Sequence, residues 1–126
     1  MADVDGTESC VSRMRLLARD TTVYFPPSGI AVAPQYQEPL KRLAEAARGC
    51  LQVKFDVAGH TDKTGEVISN LQLSWQRAEA TINFLKSQRF ETSQFLPVGF
   101  SNARPASQDA TGLGQAKNRR VEFVVR

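Results

Sequence analysis

Apolar residues recur along this chain with two different periods, and the changes of period mark its elements. Val11, Met14 and Leu17 are spaced by three, which predicts a short helix over residues 7–18. Residues 1–6 are expected to be disordered. Residues 21–25 (TTVYF) are β-branched and aromatic, and Pro26-Pro27 stops them, so they read as a strand before a turn at Ser28-Gly29. After Pro34, the residues Leu40, Leu43, Ala44 and Ala47 return at helical spacing, and Gly49 stands where a C-cap is expected, which gives a helix over 35–48. Residues 52–58 switch to period two. Val53, Phe55 and Val57 share one face, and Lys54, Asp56 and Ala58 the other.

Gly59 and Gly65 bracket a tight loop, and residues 66–71 fit a short helical turn. Ser74 reads as the N-cap of a helix running to Ser87 that starts with Trp75, buries Ala78, Ile82 and Leu85, and turns Gln76, Glu79, Asn83 and Lys86 outward. Residues 95–100 (FLPVGF) form a strand that Pro97 assigns to a sheet edge. Residues 101–118 are polar loop, with a helical turn near 113–116. Residues 120–126 alternate Val121, Phe123 and Val125 against charged positions and close the domain as a strand. The order predicts an α/β (α+β) sandwich: a mixed four-stranded sheet with helices on one face, plus an extra N-terminal helix. The charged Lys54 and Asp56 predict that the other face is solvated.

Composition narrows the class. The 126 residues suit one domain with a real core, and 41% apolar with 23% charged residues is an ordinary globular balance. The net charge of +3 is mild, and no basic stripe interleaved with aromatics points to nucleic acid. No apolar run approaches the roughly 20 residues of a membrane span. Residues 2–9 are polar and acidic rather than a signal peptide, so the stretch that addresses the native protein is expected to be missing here. Two cysteines, Cys10 and Cys50, and the lone His60 fit no metal-site spacing. The pair admits three readings: two buried thiols, a disulfide or a redox couple, with the redox compartment deciding between them.

The candidate chemistry gathers in "GHTDKTGEVISNLQLSWQRA", residues 59–78. If Ser74 caps its helix, Arg77 lies in the first turn, where the positive dipole end disfavours a cation, so Arg77 asks for an anion. Asp62 lies just past a strand's carboxyl end, on the edge of an α/β sheet where ligands usually bind. One reading is an Asp62–Arg77 salt bridge that only ties loop to helix. The other is a zwitterion site, with Arg77 taking a carboxylate through parallel N–H···O bonds and Asp62 taking an ammonium. His60 reads as a hydrogen-bonded loop anchor, since no second His, partnered Cys or nucleophile elbow accompanies it. Asn70 is expected to bond loop backbone and to be able to reach a ligand. Asn118-Arg119-Arg120 is either a solvated basic edge or a second anion contact, and Trp75 is read as a core or hinge aromatic rather than a sugar platform.

The same stretch resembles the OmpA-like domain family, whose pattern runs G-x-T-D-x-x-G-x-x-x-x-N-x-x-L-S-x-x-R-A. Gly59, Thr61, Asp62, Gly65, Asn70, Leu73, Ser74, Arg77 and Ala78 fill it without a gap. Downstream, Gly99 and Pro105 match a G-x-x-x-x-x-P element, and Asn118, Arg119, Arg120, Val121 and Glu122 match N-R-R-V-E. The upstream F…P region is altered, with Phe25, Val32 and Pro34. The resemblance covers residues 20–126 and leaves 1–19 as an extension. It implies a non-catalytic, cofactor-free module of the bacterial envelope or periplasm that binds the peptide stem of peptidoglycan. Asp62 and Arg77 would hold its diaminopimelate, Thr61, Asn70 and Leu73 would line the pocket, and Arg119 would add a contact. The native protein would be membrane-attached through the missing N-terminal part. In such an oxidising space the Cys10–Cys50 disulfide becomes the favoured reading, pinning the extra helix to the end of the second one, as in some OmpA-like domains, including a mycobacterial type. Two alternatives accompany this expectation: the same fold anchoring a larger machine such as a flagellar stator or secretion system, and a cell-wall hydrolase using Asp62, Glu66 or His60.

Overall fold

The computed structural model describes residues 7–64, 67–108 and 111–126. The expected disorder of residues 1–6, and Gly65 and Glu66 of the loop, lie outside them. The elements are α1 (Thr7–Arg19), β1 (Val23–Tyr24), α2 (Pro34–Ala47), β2 (Phe55–His60), α3 (Val67–Ser87), β3 (Phe95–Gly99), α4 (Gly112–Asn118) and β4 (Arg120–Val125). The four strands form one mixed sheet in the order β1-β4-β2-β3. β4 runs antiparallel to both β1 and β2, and β2 pairs parallel with β3. β3 is thus an edge strand, where Pro97 is tolerated. Among the described residues no helix is long and apolar enough to cross a membrane.

Period-two alternation places Phe55 and Val57 of β2, Phe95 of β3, and Val121 and Phe123 of β4 on one buried face. The rings of Phe55 and Phe95 stack at 5.0 Å, and Phe123 meets both edge-on at 6.5 and 6.0 Å. Leu40, Leu43, Ala44 and Ala47 of α2 and Ala78, Ile82 and Leu85 of α3 close this core from above. α1 joins it through Cys10, Met14 and Ala18, lies against β4 and α2, and is fixed by a Cys10–Cys50 disulfide with Cα atoms 5.5 Å apart. Gln94, buried just before β3, donates its amide to the carbonyls of Ala47, Cys50 and Val53 and so holds the turn between α2 and β2.

Two expectations change here. The open face of the sheet is solvated only over its first half. Lys54 is exposed and Asp56 half-buried, but Ala58 and His60 on the same side are covered where the segment after β3 folds back. The Phe100 ring stacks on His60 at 5.3 Å, and Arg104 caps Phe100 at 4.2 Å. The second change is the start of α3. It begins at Val67, seven residues before Ser74, and runs through the expected helical turn without a break. Leu71, Gln72 and Leu73 are good helix formers that continue it. Ser74 is not a cap; its hydroxyl donates to the Leu71 carbonyl (2.8 Å) and accepts the Ser101 amide (3.0 Å).

That Ser74 sits where α3 crosses the sheet. Gly59 is a strand residue, not a loop bracket, and a Cβ on it would stand 1.7 Å from the Ser74 carbonyl oxygen. Gly99 on β3 is nearly as crowded, 2.7 Å from Ser74 Oγ. Two glycines on adjacent parallel strands therefore let the helix backbone rest directly on the sheet. This close approach fixes the height of α3 above the end of β2 and thereby sets the pocket described next.

Candidate functional site

Arg77 lies three turns into α3, far from the unpaired N–H groups, so the dipole argument does not apply. The side chain is 0% exposed. Its Nε donates to the Gly29 carbonyl (2.8 Å), one Nη to His60 (3.1 Å) and the other to Pro26 (3.1 Å). Its guanidinium carbon also stands 5.3 Å from the centre of the Phe25 ring. Arg77 thus ties the loop after β1 to the last residue of β2. Gly29 can only be glycine in that loop, because a Cβ would fall 2.5 Å from the Pro26 ring. Burial pulls the Arg77 guanidinium down to about 10, opposed by the nearby Asp62 charge, so it stays a cation at neutral pH. A guanidinium has five N–H groups; three bond these carbonyls, and two remain.

Asp62 lies two residues past β2 and makes no salt bridge with Arg77. Its Oδ2 accepts from Arg119 Nη1 at 3.1 Å, and Arg119 Nε bonds the Phe25 carbonyl at 2.9 Å. Its Oδ1 accepts the Thr64 amide at 3.0 Å and the Thr64 hydroxyl. Burial alone would raise the Asp62 carboxyl, but these bonds from Thr64 and Arg119 outweigh it and hold the group below its ordinary range. The carboxylate is therefore ionised and fixed in direction. Asn70 donates to the Thr64 carbonyl at 2.8 Å and fixes the loop in turn. Thr61 is 2% exposed, and its hydroxyl has no partner among the described residues.

All six residues singled out as ligand contacts line one cavity of about 210 Å³: Thr61, Asp62, Asn70, Leu73, Arg77 and Arg119. One carboxylate thus shares a small, partly enclosed space with two guanidiniums. The Asp62 carboxylate suits an ammonium, and the free N–H groups of Arg77 and Arg119 suit a carboxylate. The unpartnered Thr61 hydroxyl is a buried polar group that a bound molecule would satisfy.

Thr64 was missed in the sequence. Its signal is the two-residue step from Asp62, the spacing at which an aspartate side chain takes the backbone N–H ahead of it. Pro27, Ser28 and Ser69 also line the cavity without a sequence signal that marks them.

Other candidates fall elsewhere. His60 is not a hydrogen-bonded loop anchor; it ends β2, is 3% exposed, and neither ring nitrogen makes a hydrogen bond. Burial and the neighbouring Arg120 pull it down to about 4, against the opposing pull of Glu122. Asn118 and Arg120 do not form a solvated basic edge. Asn118 pairs with the Ser107 backbone in both directions, and buried Arg120 forms an ion pair with Glu122 at 3.1 Å and donates to the Arg104 carbonyl at 3.1 Å. Trp75 is not a core aromatic, since it is 42% exposed on the outer side of α3.

The OmpA family model matches residues 24–119. The peptidoglycan-binding protein ArfA of Mycobacterium tuberculosis is 34% identical over 103 residues, which is 82% of this chain and 32% of ArfA. The chain therefore spans about a third of the length of that relative. The crystal structure of the peptidoglycan-associated lipoprotein from Burkholderia pseudomallei superposes with a TM-score of 0.80 at 28% identity, covering 84% of this chain and 90% of that one. The cell wall anchor of the T6SS from Pseudomonas aeruginosa superposes with a TM-score of 0.66, also at 28% identity, covering 82% and 78%.

Proposed function

The chain belongs to the OmpA family, and from that premise we propose that it is a non-catalytic module of the bacterial envelope that anchors a larger protein to peptidoglycan by gripping the diamino acid of a stem peptide. One observation carries the reading: an ionised Asp62 and two arginines face a single small cavity. A ligand end bearing an ammonium and a carboxylate on one carbon matches it, as at the side-chain end of diaminopimelate. Asp62 takes the ammonium. Arg77 and Arg119 take the carboxylate through their remaining N–H groups, and Thr61 supplies its unpartnered hydroxyl. On this reading residues 20–126 are the wall-binding domain, and 1–19 are an extension bolted to it by the disulfide.

The protonation states support binding rather than hydrolysis. A general acid needs a raised carboxyl, whereas Asp62 is held low and engaged by three donors. Likeness to the T6SS wall anchor supports a second reading at the level of the whole protein, in which the same grip secures a larger machine.

Co-sedimentation with insoluble wall sacculi tests the grip. The wild type pellets with them, and Asp62→Ala stays in the supernatant while folded. Free diaminopimelate competes, and lysine, which lacks the distal carboxylate, competes less. Retention of Asp62→Ala in the pellet would remove this reading.

A further inference from the structure

A second cavity lies on the other side of α3, about 670 Å³, lined by Leu71, Gln72, Trp75, Gln76, Glu79 and Gly99. Its most prominent member is the chain's single tryptophan, and Leu71 beside it is 49% exposed. At helical neighbour positions beside that aromatic stand a carboxamide and a carboxylate, Gln72 three before and Glu79 four after, and a second carboxamide, Gln76, lines the same cavity. No hydrogen bond or ion pair among the described residues occupies the indole N–H, either carboxamide or Glu79. A large flat apolar surface ringed by unengaged hydrogen-bonding groups matches the face of a pyranose, whose C–H groups stack and whose hydroxyl and acetamido groups take polar partners.

We infer that this platform is a second subsite, for the sugar backbone of the same wall polymer. The inference rests on the stem-peptide reading of the Asp62 pocket and extends it. The two sites share α3: Asn70, Leu73 and Arg77 face the first, while Gln72, Trp75 and Gln76 face the second. They lie at nearly the same height on opposite faces of the helix, so a ligand passing over its surface follows about half the circumference of a cylinder about 10–12 Å across, roughly 16–19 Å. Two or three extended peptide residues cover about 7–11 Å, and the side chain of the diamino acid, roughly 5 Å from its distal carbon to the backbone, together with the link to the sugar supplies the rest. A stem whose diamino acid sits against Asp62 therefore brings the sugar to which it is attached within reach of Trp75. Because the two contacts belong to one molecule, the second adds to the first with little further loss of freedom.

Trp75 fluorescence reports on the platform directly, because no other tryptophan contributes. Three probes separate the two sites: a diaminopimelate-containing stem peptide without sugar, the same stem on an N-acetylated disaccharide, and the tetramer of N-acetylglucosamine. The sugar-free stem binds wild type and Trp75→Ala equally and leaves Trp75 emission unchanged. The disaccharide-bearing stem binds the wild type about 3- to 10-fold more tightly than the sugar-free one and alters the emission. That advantage disappears in Trp75→Ala and survives in part in Trp75→Phe. An equal affinity of the wild type for the two stems, or an advantage retained in Trp75→Ala, would overturn the platform, as it would if the surface docks a protein instead. If the sugar-free stem fails to bind while the tetramer alters Trp75 emission in both wild type and Asp62→Asn, the pocket reading falls and the platform stands. Silence from all three probes overturns both.

Discussion

Arg119, not Arg77, grips Asp62: its Nη1 lies 3.1 Å from Asp62 Oδ2, while every hydrogen bond that Arg77 makes goes to a backbone carbonyl. The two arginines of the pocket therefore do different work. Arg119 aims the carboxylate. Arg77, fully buried, builds the wall of the cavity and sets its positive charge beside it. Removing either changes the site by a different route.

Arg77→Ala should damage the fold before it reports on binding. It removes the guanidinium donor from the carbonyls of Gly29, His60 and Pro26, of which Pro26 keeps the Gly29 amide, and opens a void in a fully buried position. A loss of roughly 3–5 kcal/mol is expected in urea unfolding. Arg77→Lys keeps the charge but cannot reach three carbonyls at once and should fall between. Stability of Arg77→Ala within about 1 kcal/mol of wild type would contradict the anchoring role.

Asp62→Asn is the cleaner probe of the pocket. An asparagine can still accept from Thr64, so the loop keeps its shape, but the negative charge is gone. The variant should fold and fail to pellet with wall sacculi. The depressed carboxyl predicts the pH course as well. Asp62 keeps its charge until the pH falls below the ordinary carboxylate value of 3.8, so Asp62-dependent capture should be level between pH 7 and about 5. A fall in capture centred near neutrality would point to a different titrating group.

The legibility of this molecule in its sequence divides along physical lines. Leu40, Leu43, Ala44 and Ala47, and the alternation through Phe55, Val57, Val121 and Phe123, announced the buried faces, because one period governs many residues at once. The start of α3 was obscured because a serine is equally at home as a cap and, as Ser74, bonded back to the preceding turn. Arg77 drew notice through a mistaken first-turn placement, and the family pattern then carried it to the pocket. Its three carbonyl partners come from the loop at 26–29 and from His60, contacts at sequence separations that no local pattern encodes. Gly59 was legible as a glycine but not as a crossing point, since that meaning depends on where Ser74 lies in space.

Gly59→Ala should be among the most destabilising single substitutions in the chain. The added methyl would meet backbone rather than a movable side chain, with the Ser74 oxygen 1.7 Å and its carbonyl carbon 2.7 Å away. α3 would have to lift from β2, moving Leu73 and Arg77 with it. Loss of more than about 3 kcal/mol, or failure to fold, is expected from urea unfolding or circular dichroism. Gly112→Ala, where nothing stands within 4 Å, is the matched control and should be near neutral.

Reducing the Cys10–Cys50 bridge should weaken the whole fold rather than release α1 alone, because Met14 and Ala18 remain buried in the common core. The bond spans 40 positions, for which chain-entropy arguments give up to about 4 kcal/mol. The double variant Cys10→Ser, Cys50→Ser should lose roughly 2–4 kcal/mol in a single cooperative transition. Two separate transitions, with α1 exchanging its amides first, would show that it is an independent appendage.

His60 should make the protein less stable as the solution turns acidic, well before its carboxylates titrate. In the folded chain its ring is neutral, held at about 4 by burial and by Arg120 and Arg104, with Glu122 pulling the other way. In the unfolded chain it takes a proton near its ordinary value of 6.5. Between those values the unfolded state binds more protons than the folded one, so stability falls as pH falls, and the loss is complete near pH 4. The full gap corresponds to about 3–3.5 kcal/mol. His60→Phe preserves stacking on Phe100 without a titrating nitrogen. Urea unfolding at pH 7 and pH 4.5 should show the wild type losing stability over this interval and His60→Phe losing markedly less. Equal losses in the two proteins would mean that His60 is already protonated within its stack, compensated by the Glu122 carboxylate whose oxygen lies 3.5 Å away.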